Sequence, residues 1–125
     1  MIQGRVSDAG VPVITLSIEG QAWEATIDTG FNGDLELSEA LRDRLNPQYI
    51  GKVTSVLAGG QRIVEELYRV NFPFDGKMIQ AEATFVVGSE ILIGTHLLRE
   101  YRLQIDFVRR TIMLERDFIT EASID

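Results

Sequence analysis

The sequence predicts a mainly β single domain, a small closed barrel or sandwich with one or two short helices. Apolar and polar residues alternate along most of the chain, as in Ile14, Leu16 and Ile18, which share one face of a predicted strand. Glycine-containing turn sequences separate these alternating segments. The chain has 125 residues, 45% of them apolar, which suits one domain spanning residues 1–125 and argues against disorder.

The first part of the chain is predicted to contain four strands and a helix. The strands cover residues 2–6, 13–18, 22–27 and 35–37. Gly10 and Gly20 supply turns between them, because glycine tolerates the backbone angles that tight turns require. Ser38 is a good N-cap for a helix over residues 39–45. This helix should end before Pro47, because proline disfavours helical geometry in the residue preceding it.

The rest of the chain is predicted to be six further strands and a brief helix. The strands cover residues 52–57, 62–72, 78–87, 91–93, 102–107 and 111–114, and the helix covers residues 95–101. Gly59-Gly60 and Asp75-Gly76 are typical of hairpin turns. The strand at residues 91–93 is wholly apolar, which indicates burial on both faces.

The charge of the chain limits its partners. Lys and Arg number 12 against 19 Asp and Glu, so the net charge is −7, and this field would repel a polyanion. The densest basic stretch, residues 99–110, is interleaved with Glu100 and Asp106 and is interpreted as solvated faces of short elements. We therefore expect no nucleic-acid partner.

Several site chemistries are disfavoured by what the sequence lacks. Without cysteine there can be no disulfide, thiolate metal site or cysteine nucleophile, and this composition fits a reducing, cytoplasmic compartment. His96 is the single histidine, so neither a metal site nor a cofactor is expected. No apolar run approaches the length of about 18 residues of a membrane span, and residues 1–5 do not read as a secretory signal.

Asp28-Thr29-Gly30 is the strongest candidate for chemistry. A buried-looking strand runs directly into this carboxylate, and such burial is costly unless hydrogen-bond donors surround it. Gly30 allows backbone N–H groups to approach the carboxylate, and the Thr29 hydroxyl can brace the loop. An ordinary Asx turn is the structural alternative. Among other aspartates, Asp34 is expected to be solvated, and Asp106 to be exposed or paired with a cation.

The context of this motif resembles the retropepsin-like aspartic proteases. Ala25-Thr26-Ile27 precedes Asp28-Thr29-Gly30, and Ile91-Leu92-Ile93-Gly94 follows about sixty residues later. In that family an apolar-apolar-Asp-Thr/Ser-Gly segment lies beside a later apolar-apolar-Gly segment. The resemblance spans residues 11–115. It implies an acid-protease-like barrel, half of a two-lobed protease, with the Gly59-Gly60 hairpin as a flap over the substrate cleft.

The resemblance also implies roles for individual residues. Catalytic roles fall to Asp28, Thr29 and Gly30, with Thr29 bracing the paired loops of a dimer. The residues implied in substrate binding are Phe31, Leu57, Ala58, Gly59, Gly60, Ile93 and Gly94. Phe31 departs from the small residue usual at its position and is similar to the Asp-Thr-Gly-Phe variety of prokaryotic single-domain members. Its ring either narrows the cleft or forms an apolar subsite.

Aspartic proteolysis needs two carboxylates around one water, one ionised and one protonated. Two carboxylates about 3 Å apart share a proton, because both cannot ionise cheaply. The chain has a single Asp-Thr-Gly, so the second carboxylate would be Asp28 of a symmetric partner. The sequence thus predicts a homodimeric endopeptidase acting on a peptide or protein. The alternatives are a catalytically silent module that binds peptides or partners by adding strands, which Phe31 favours, and a plain dimerisation module.

Overall fold

The computed structural model describes residues 1–117 as ten strands and one short 3₁₀ helix. The strands are β1 (Ile2–Val6), β2 (Pro12–Ile18), β3 (Gln21–Ile27), β4 (Leu35–Ser38), β5 (Gln48–Val56), β6 (Arg62–Phe74), β7 (Lys77–Val86), β8 (Ile91–Ile93), β9 (Tyr101–Asp106) and β10 (Thr111–Arg116). The helix, Glu39–Arg44, lies between β4 and β5. The mainly β fold class and all ten predicted strands are confirmed. The end of the predicted domain, residues 118–125, lies outside the described residues.

The two predicted helices have different outcomes. The helix after Ser38 is present in 3₁₀ form, and the Ser38 hydroxyl accepts a hydrogen bond from Ala40 N at 3.2 Å, as its cap assignment predicted. The helix predicted over residues 95–101 was wrong, because residues 95–100 form turns and Tyr101 begins β9. The amides of Thr95 and His96 donate to carbonyl groups of the loop after Asp28. Such tertiary hydrogen bonds take the place of a regular helical start.

All ten strands belong to a single sheet. Its order is β5-β6-β7-β4-β8-β3-β2-β1-β10-β9. Most neighbours are antiparallel, but β3 pairs with β8 and β4 pairs with β7 in parallel. These two parallel pairs place the short strands β4 and β8 in the middle of the sheet, so the loops at their ends meet there.

The sheet surrounds one hydrophobic core but is not closed into a barrel. Its largest fully buried side chains include Ile14, Phe72, Leu37, Ile93 and Leu114, which come from five different strands. Within residues 1–117 the sheet ends at β5 and β9, which do not pair with each other. The predicted closure is therefore corrected. The β5–β6 hairpin extends past the core, with Val56 and Val64 exposed. In the described part of the chain β5 pairs only with β6 and so lies at an edge of the sheet.

In the described part of the chain, no helix is long and apolar enough to cross a membrane.

Candidate active site

Asp28 follows directly on β3, in the middle of the sheet. Ile27 pairs with Ile93 of the parallel strand β8, and Asp28 N continues this pairing by donating to Ile93 O at 2.9 Å. The chain then turns, with Phe31 N donating to Asp28 O at 3.1 Å. Gly30 N donates to Asp28 Oδ1 at 2.9 Å, which is the hydrogen bond of an Asx turn. Asp28 is half-buried, whereas Thr29 and Gly30 are exposed.

The segment after β8 holds the Asp28 loop in place through backbone hydrogen bonds. Gly94 N donates to Asp34 O at 2.9 Å, Thr95 N to Phe31 O at 2.8 Å, and His96 N to Gly33 O at 3.2 Å. This is the side-by-side arrangement of the Asp-Thr-Gly and apolar-Gly segments that the resemblance to retropepsin-like proteases implies. Because three successive amides donate to one loop, the backbone around Asp28 is fixed on both sides.

Two glycines make room for the Phe31 ring. A Cβ atom at Gly33 would lie 2.7 Å from Phe31 Cε1, and one at Gly94 would lie 2.8 Å from Phe31 Cδ2. The ring thus packs where side chains on these two residues would otherwise be. It also lines the cleft beside Asp28. Phe31 is therefore accommodated by compensating small residues within the same loop assembly.

Asp34 is buried, contrary to the expectation that it would be solvated. It is 8% exposed, and its Oδ2 accepts a hydrogen bond from Glu82 N at 3.0 Å, while Oδ1 lies 2.6 Å from His96 Nδ1. The parallel pairing of β4 with β7 brings the Glu82 amide to this carboxylate, a contact that the sequence alone does not reveal. Asp34 and the more exposed His96 thereby tie the loop to the turns that follow β8.

Asp34→Ala is expected to destabilise the protein by about 2 kcal/mol, because the Glu82 amide loses the buried carboxylate that accepts its hydrogen bond. Asp34→Asn retains an oxygen acceptor and should cost less than the alanine variant. Urea unfolding at neutral pH measures both changes. Equal stability of the alanine variant and the wild-type protein would show that the hydrogen bond to Glu82 contributes nothing net.

A cleft of about 630 Å³ opens between the Asp28 loop, β4 and the β5–β6 hairpin. Of the predicted site residues, Asp28, Gly30, Phe31 and Leu57 line it. Its other apolar lining comes largely from the hairpin and the neighbouring central strands: Val53, Val56, Ile63, Leu67, Val86 and Leu92. The Asp28 carboxylate therefore lies at a cleft whose hairpin side is mostly aliphatic.

The remaining predicted site residues lie around this cleft rather than in its lining. Ala58, Gly59 and Gly60 form the exposed tip of the hairpin, where Gly60 N donates to Leu57 O at 3.0 Å. Ile93 and Gly94 are buried behind the Asp28 loop, so they support the loop instead of facing the cleft. The structure thus separates the predicted residues into a lining set, a hairpin tip and a support.

The cleft also contains carboxylates that the sequence analysis did not single out. Glu36 on β4 and Glu65 on β6 line it together with Asp28. Partial burial raises the pKa of Glu36, and the negative charges of Glu65, Glu90 and Asp28 raise it further. The alternation Leu35-Glu36-Leu37 indicates that Glu36 faces away from the core. That this outer face is the floor of a cleft follows only from the position of the hairpin.

Glu36→Gln is expected to stabilise the protein at neutral pH. The pKa of Glu36 is raised in the folded state, so its contribution to stability is present at low pH and is lost as pH rises through the folded value. Glutamine carries no charge at any pH, so the variant should not lose this stability as pH rises. The difference in stability between the variant and the wild-type protein should vanish below the ordinary glutamate pKa of 4.5. Thermal unfolding at pH 7 and pH 4 measures it, with the exposed Glu115→Gln on β10 as the charge-matched control. A lower melting temperature at pH 7 would contradict the expectation.

Similar solved structures share this arrangement of strands. A retropepsin-like aspartic protease from Rickettsia conorii is similar to the chain, with a TM-score of 0.62 and 17% sequence identity, covering 90% of this chain and 88% of that protein. The chain has a retropepsin-like fold. No family model and no curated protein sequence matches it.

The retropepsin-like fold is also seen in two structures of the foamy viral protease-reverse transcriptase. One, solved with double-stranded DNA, has a TM-score of 0.57, 18% identity and 74% coverage of this chain. The other, solved with an RNA/DNA hybrid, has a TM-score of 0.56, 16% identity and 85% coverage. This chain spans only 15% and 13% of those viral polypeptides. The likeness is therefore confined to one retropepsin-like unit of a much longer protein.

Proposed function

We propose that the protein is an aspartic endopeptidase in which the Asp28 carboxylates of a homodimer activate a water molecule for attack on a peptide bond. The observation that carries the proposal is the position of Asp28: half-buried, at the cleft, within a retropepsin-like fold. The Gly30 amide donates to one oxygen of this carboxylate and so fixes its orientation. Catalysis depends on such fixed geometry, because misplaced groups lose much of their rate advantage.

The proposed reaction is general acid–base catalysis without a covalent intermediate. One Asp28 carboxylate, ionised, takes a proton from the water, while the other, protonated, polarises the peptide carbonyl. The chain brings one Asp-Thr-Gly loop to the cleft, so the second carboxylate comes from an identical partner. Thr29 and Gly30 are exposed beside Asp28, which leaves this surface free for the partner's loop. Thr29 is proposed to brace the two loops against each other.

The substrate is proposed to lie between the Asp28 loop and the hairpin. Phe31 and Leu57 contact it from the two sides of the cleft, and Ala58, Gly59 and Gly60 close over it. Closure would exclude water and strengthen the electrostatic interactions at the carboxylates. Ile93 and Gly94 do not contact the substrate in this proposal; their backbone hydrogen bonds to Asp28 and Asp34 hold the Asp28 loop in position. The absence of cysteine supports a reducing, cytoplasmic setting for this activity.

The proposal is tested by assaying purified protein on a mixed peptide library from acidic to neutral pH, over a series of protein concentrations. Because a dimer supplies both carboxylates, specific activity should rise with concentration and reach a plateau as the dimer saturates. Sedimentation measured over the same concentrations should show the dimer forming in parallel. Activity that is independent of concentration in a protein that stays monomeric would overturn the shared-site mechanism.

The alternative of a catalytically silent peptide-binding module is favoured by one observation, the bulky Phe31 ring in the cleft lining. That module would bind library peptides without cleaving them at any pH, and Asp28→Asn would change only stability or affinity. A plain dimerisation module would form the dimer and bind no peptide. The library assay, read for both binding and cleavage, therefore separates the three functions.

A further inference from the structure

Glu36 lies at the centre of the cleft floor, on the same side of the sheet as Asp28. On β4 it pairs with Thr84 of β7 on one side and with Leu92 of β8 on the other. Leu92 pairs in turn with Thr26, two residues before Asp28, and alternate residues of a strand share one face. Two strand spacings separate Glu36 from the Asp28 strand, about 10 Å across the sheet. A peptide held at Asp28 can thus place a nearby side chain over Glu36.

The charged residues that line the cleft are all acidic. Five carboxylates line the cleft, and its lining, drawn from residues 1–117, contains neither lysine nor arginine. These carboxylates belong to Asp28, Asp34, Glu36, Glu65 and Glu82. Burial and the like charges of Glu65, Glu90 and Asp28 raise the pKa of Glu36, so negative charge there is uncompensated. A cation bound at this position would relieve the repulsion.

Hydrogen bonding distinguishes these carboxylates. Asp34 already accepts from Glu82 N, and Glu65 accepts from the Ser55 hydroxyl at 3.2 Å. Glu36 has no hydrogen-bond donor within the described part of the chain. The Ser55 contact orients Glu65 on the hairpin side of the cleft, across from Glu36 on the floor. Glu36 and Glu82 are therefore the carboxylates of the lining left free to receive a donor from a ligand, and Glu36 is the less exposed of the two.

Thr84 supplies a second, independent indication of a ligand. It is 9% exposed, lines the cleft, and lies directly beside Glu36 in the register of β7 and β4. Its hydroxyl has no hydrogen-bond partner among residues 1–117. Because Thr84 lines the cleft and its hydroxyl is open to it rather than fully buried, a bound molecule can reach this unpartnered group and hydrogen-bond with it.

We propose that Glu36, Glu65 and Thr84 form a subsite for a lysine or arginine side chain of the peptide substrate. The ammonium or guanidinium group lies between the two carboxylates and donates to the Thr84 hydroxyl. The aliphatic part of the same side chain packs on Leu92 and Val86, in the manner of long basic side chains that cover apolar surface. The net charge of −7 attracts such peptides from solution. The inference rests on the proposed function in taking the occupant of the cleft to be a peptide.

The test measures binding, so that it does not depend on hydrolysis. Fluorescence anisotropy is recorded on Asp28→Asn protein with peptides that place lysine, or its uncharged analogue norleucine, at each position in turn. At one position lysine should bind about tenfold more tightly than norleucine. Glu36→Gln, Glu65→Gln and Thr84→Val, each added separately, should reduce that preference. Glu115→Gln removes the same charge from the exposed surface of β10 and should leave the preference unchanged.

The outcomes separate the subsite from the catalytic proposal. Preference for lysine at one position, lost in the cleft variants and kept in Glu115→Gln, supports the subsite even where the wild-type protein cleaves no peptide. Equal binding of the lysine and norleucine peptides at every position overturns it. A preference that falls equally in Glu115→Gln also overturns it, because the effect then belongs to net charge. Circular dichroism verifies that each variant is folded, and the three separate cleft variants keep the test independent of any one of them.

Discussion

Asp28→Asn is expected to lower the rate of peptide hydrolysis by about a thousandfold or more, since a general base typically contributes 10²–10⁴-fold. The asparagine amide cannot take a proton from water, so neither acid nor base function survives. The variant should still fold, because the asparagine Oδ1 can accept the hydrogen bond that Gly30 N donates to Asp28. Initial rates on a peptide that the wild-type protein cleaves provide the measurement.

The matched control for this substitution is Asp106→Asn. Asp106 accepts hydrogen bonds from Val108 N and Arg109 N in the turn between β9 and β10, away from the cleft. The Arg109 amide and guanidinium lower the pKa of Asp106, so this residue is an ionised structural group, in agreement with the predicted pairing. The control removes the same charge and should hydrolyse peptide at the wild-type rate. An Asp28→Asn rate within tenfold of wild type would rule out the proposed mechanism.

Mixing the two proteins tests whether the carboxylates are shared between subunits. If Asp28 of each subunit is required, a dimer of one wild-type and one Asp28→Asn chain is inactive. An equal mixture at exchange equilibrium should then retain about a quarter of the activity of an all-wild-type sample of the same total concentration. Retention of half the activity would show instead that each subunit acts alone.

The sequence was sufficient for the strands and for the position of Asp28, because both depend on local pattern. Alternation identified most strands and a wholly apolar run identified the strand at residues 91–93, and the apolar segments before Asp28 and Gly94 are indeed neighbours in the sheet. Asp34 and residues 95–101 were interpreted wrongly for one reason: their hydrogen-bond partners are distant in sequence. Local pattern alone predicts a solvated carboxylate at Asp34 and a helix at residues 95–101. The partners that change both outcomes are supplied by the topology of the fold.

The residues that line the cleft show the same limit of prediction from local sequence pattern. Glu36 is an ordinary outward-facing residue in the pattern of β4, and Thr84 is an ordinary residue of β7. Their joint position beneath the hairpin depends on the parallel pairing of β4 with β7. Because parallel strands are joined by long connections, no short sequence motif records this pairing. The proposed catalytic motif is local, whereas the residues proposed to select the substrate are assembled by the fold.

Gly94→Ala is expected to destabilise the protein by about 3 kcal/mol, because a Cβ atom there would lie 2.1 Å from Gly33 O. That oxygen belongs to the backbone and accepts the hydrogen bond from His96 N, so it cannot move aside without breaking the contact that holds the loop. Phe31 blocks a second direction of relief, since its Cδ2 would be 2.8 Å from the new atom. Urea unfolding of the purified variant measures the cost.

Gly20→Ala separates this steric effect from the general cost of replacing a glycine. Gly20 has φ +79° and nothing within 4 Å of an added Cβ atom, so alanine there costs only backbone strain, about 1 kcal/mol. If the loop assembly is as tightly packed as the distances indicate, Gly94→Ala must be the more destabilising of the two, although its backbone angles suit any residue. Equal losses in the two variants would mean that the loop yields around the new methyl group. The Asp28 carboxylate would then be held less firmly than a preorganised catalytic group requires.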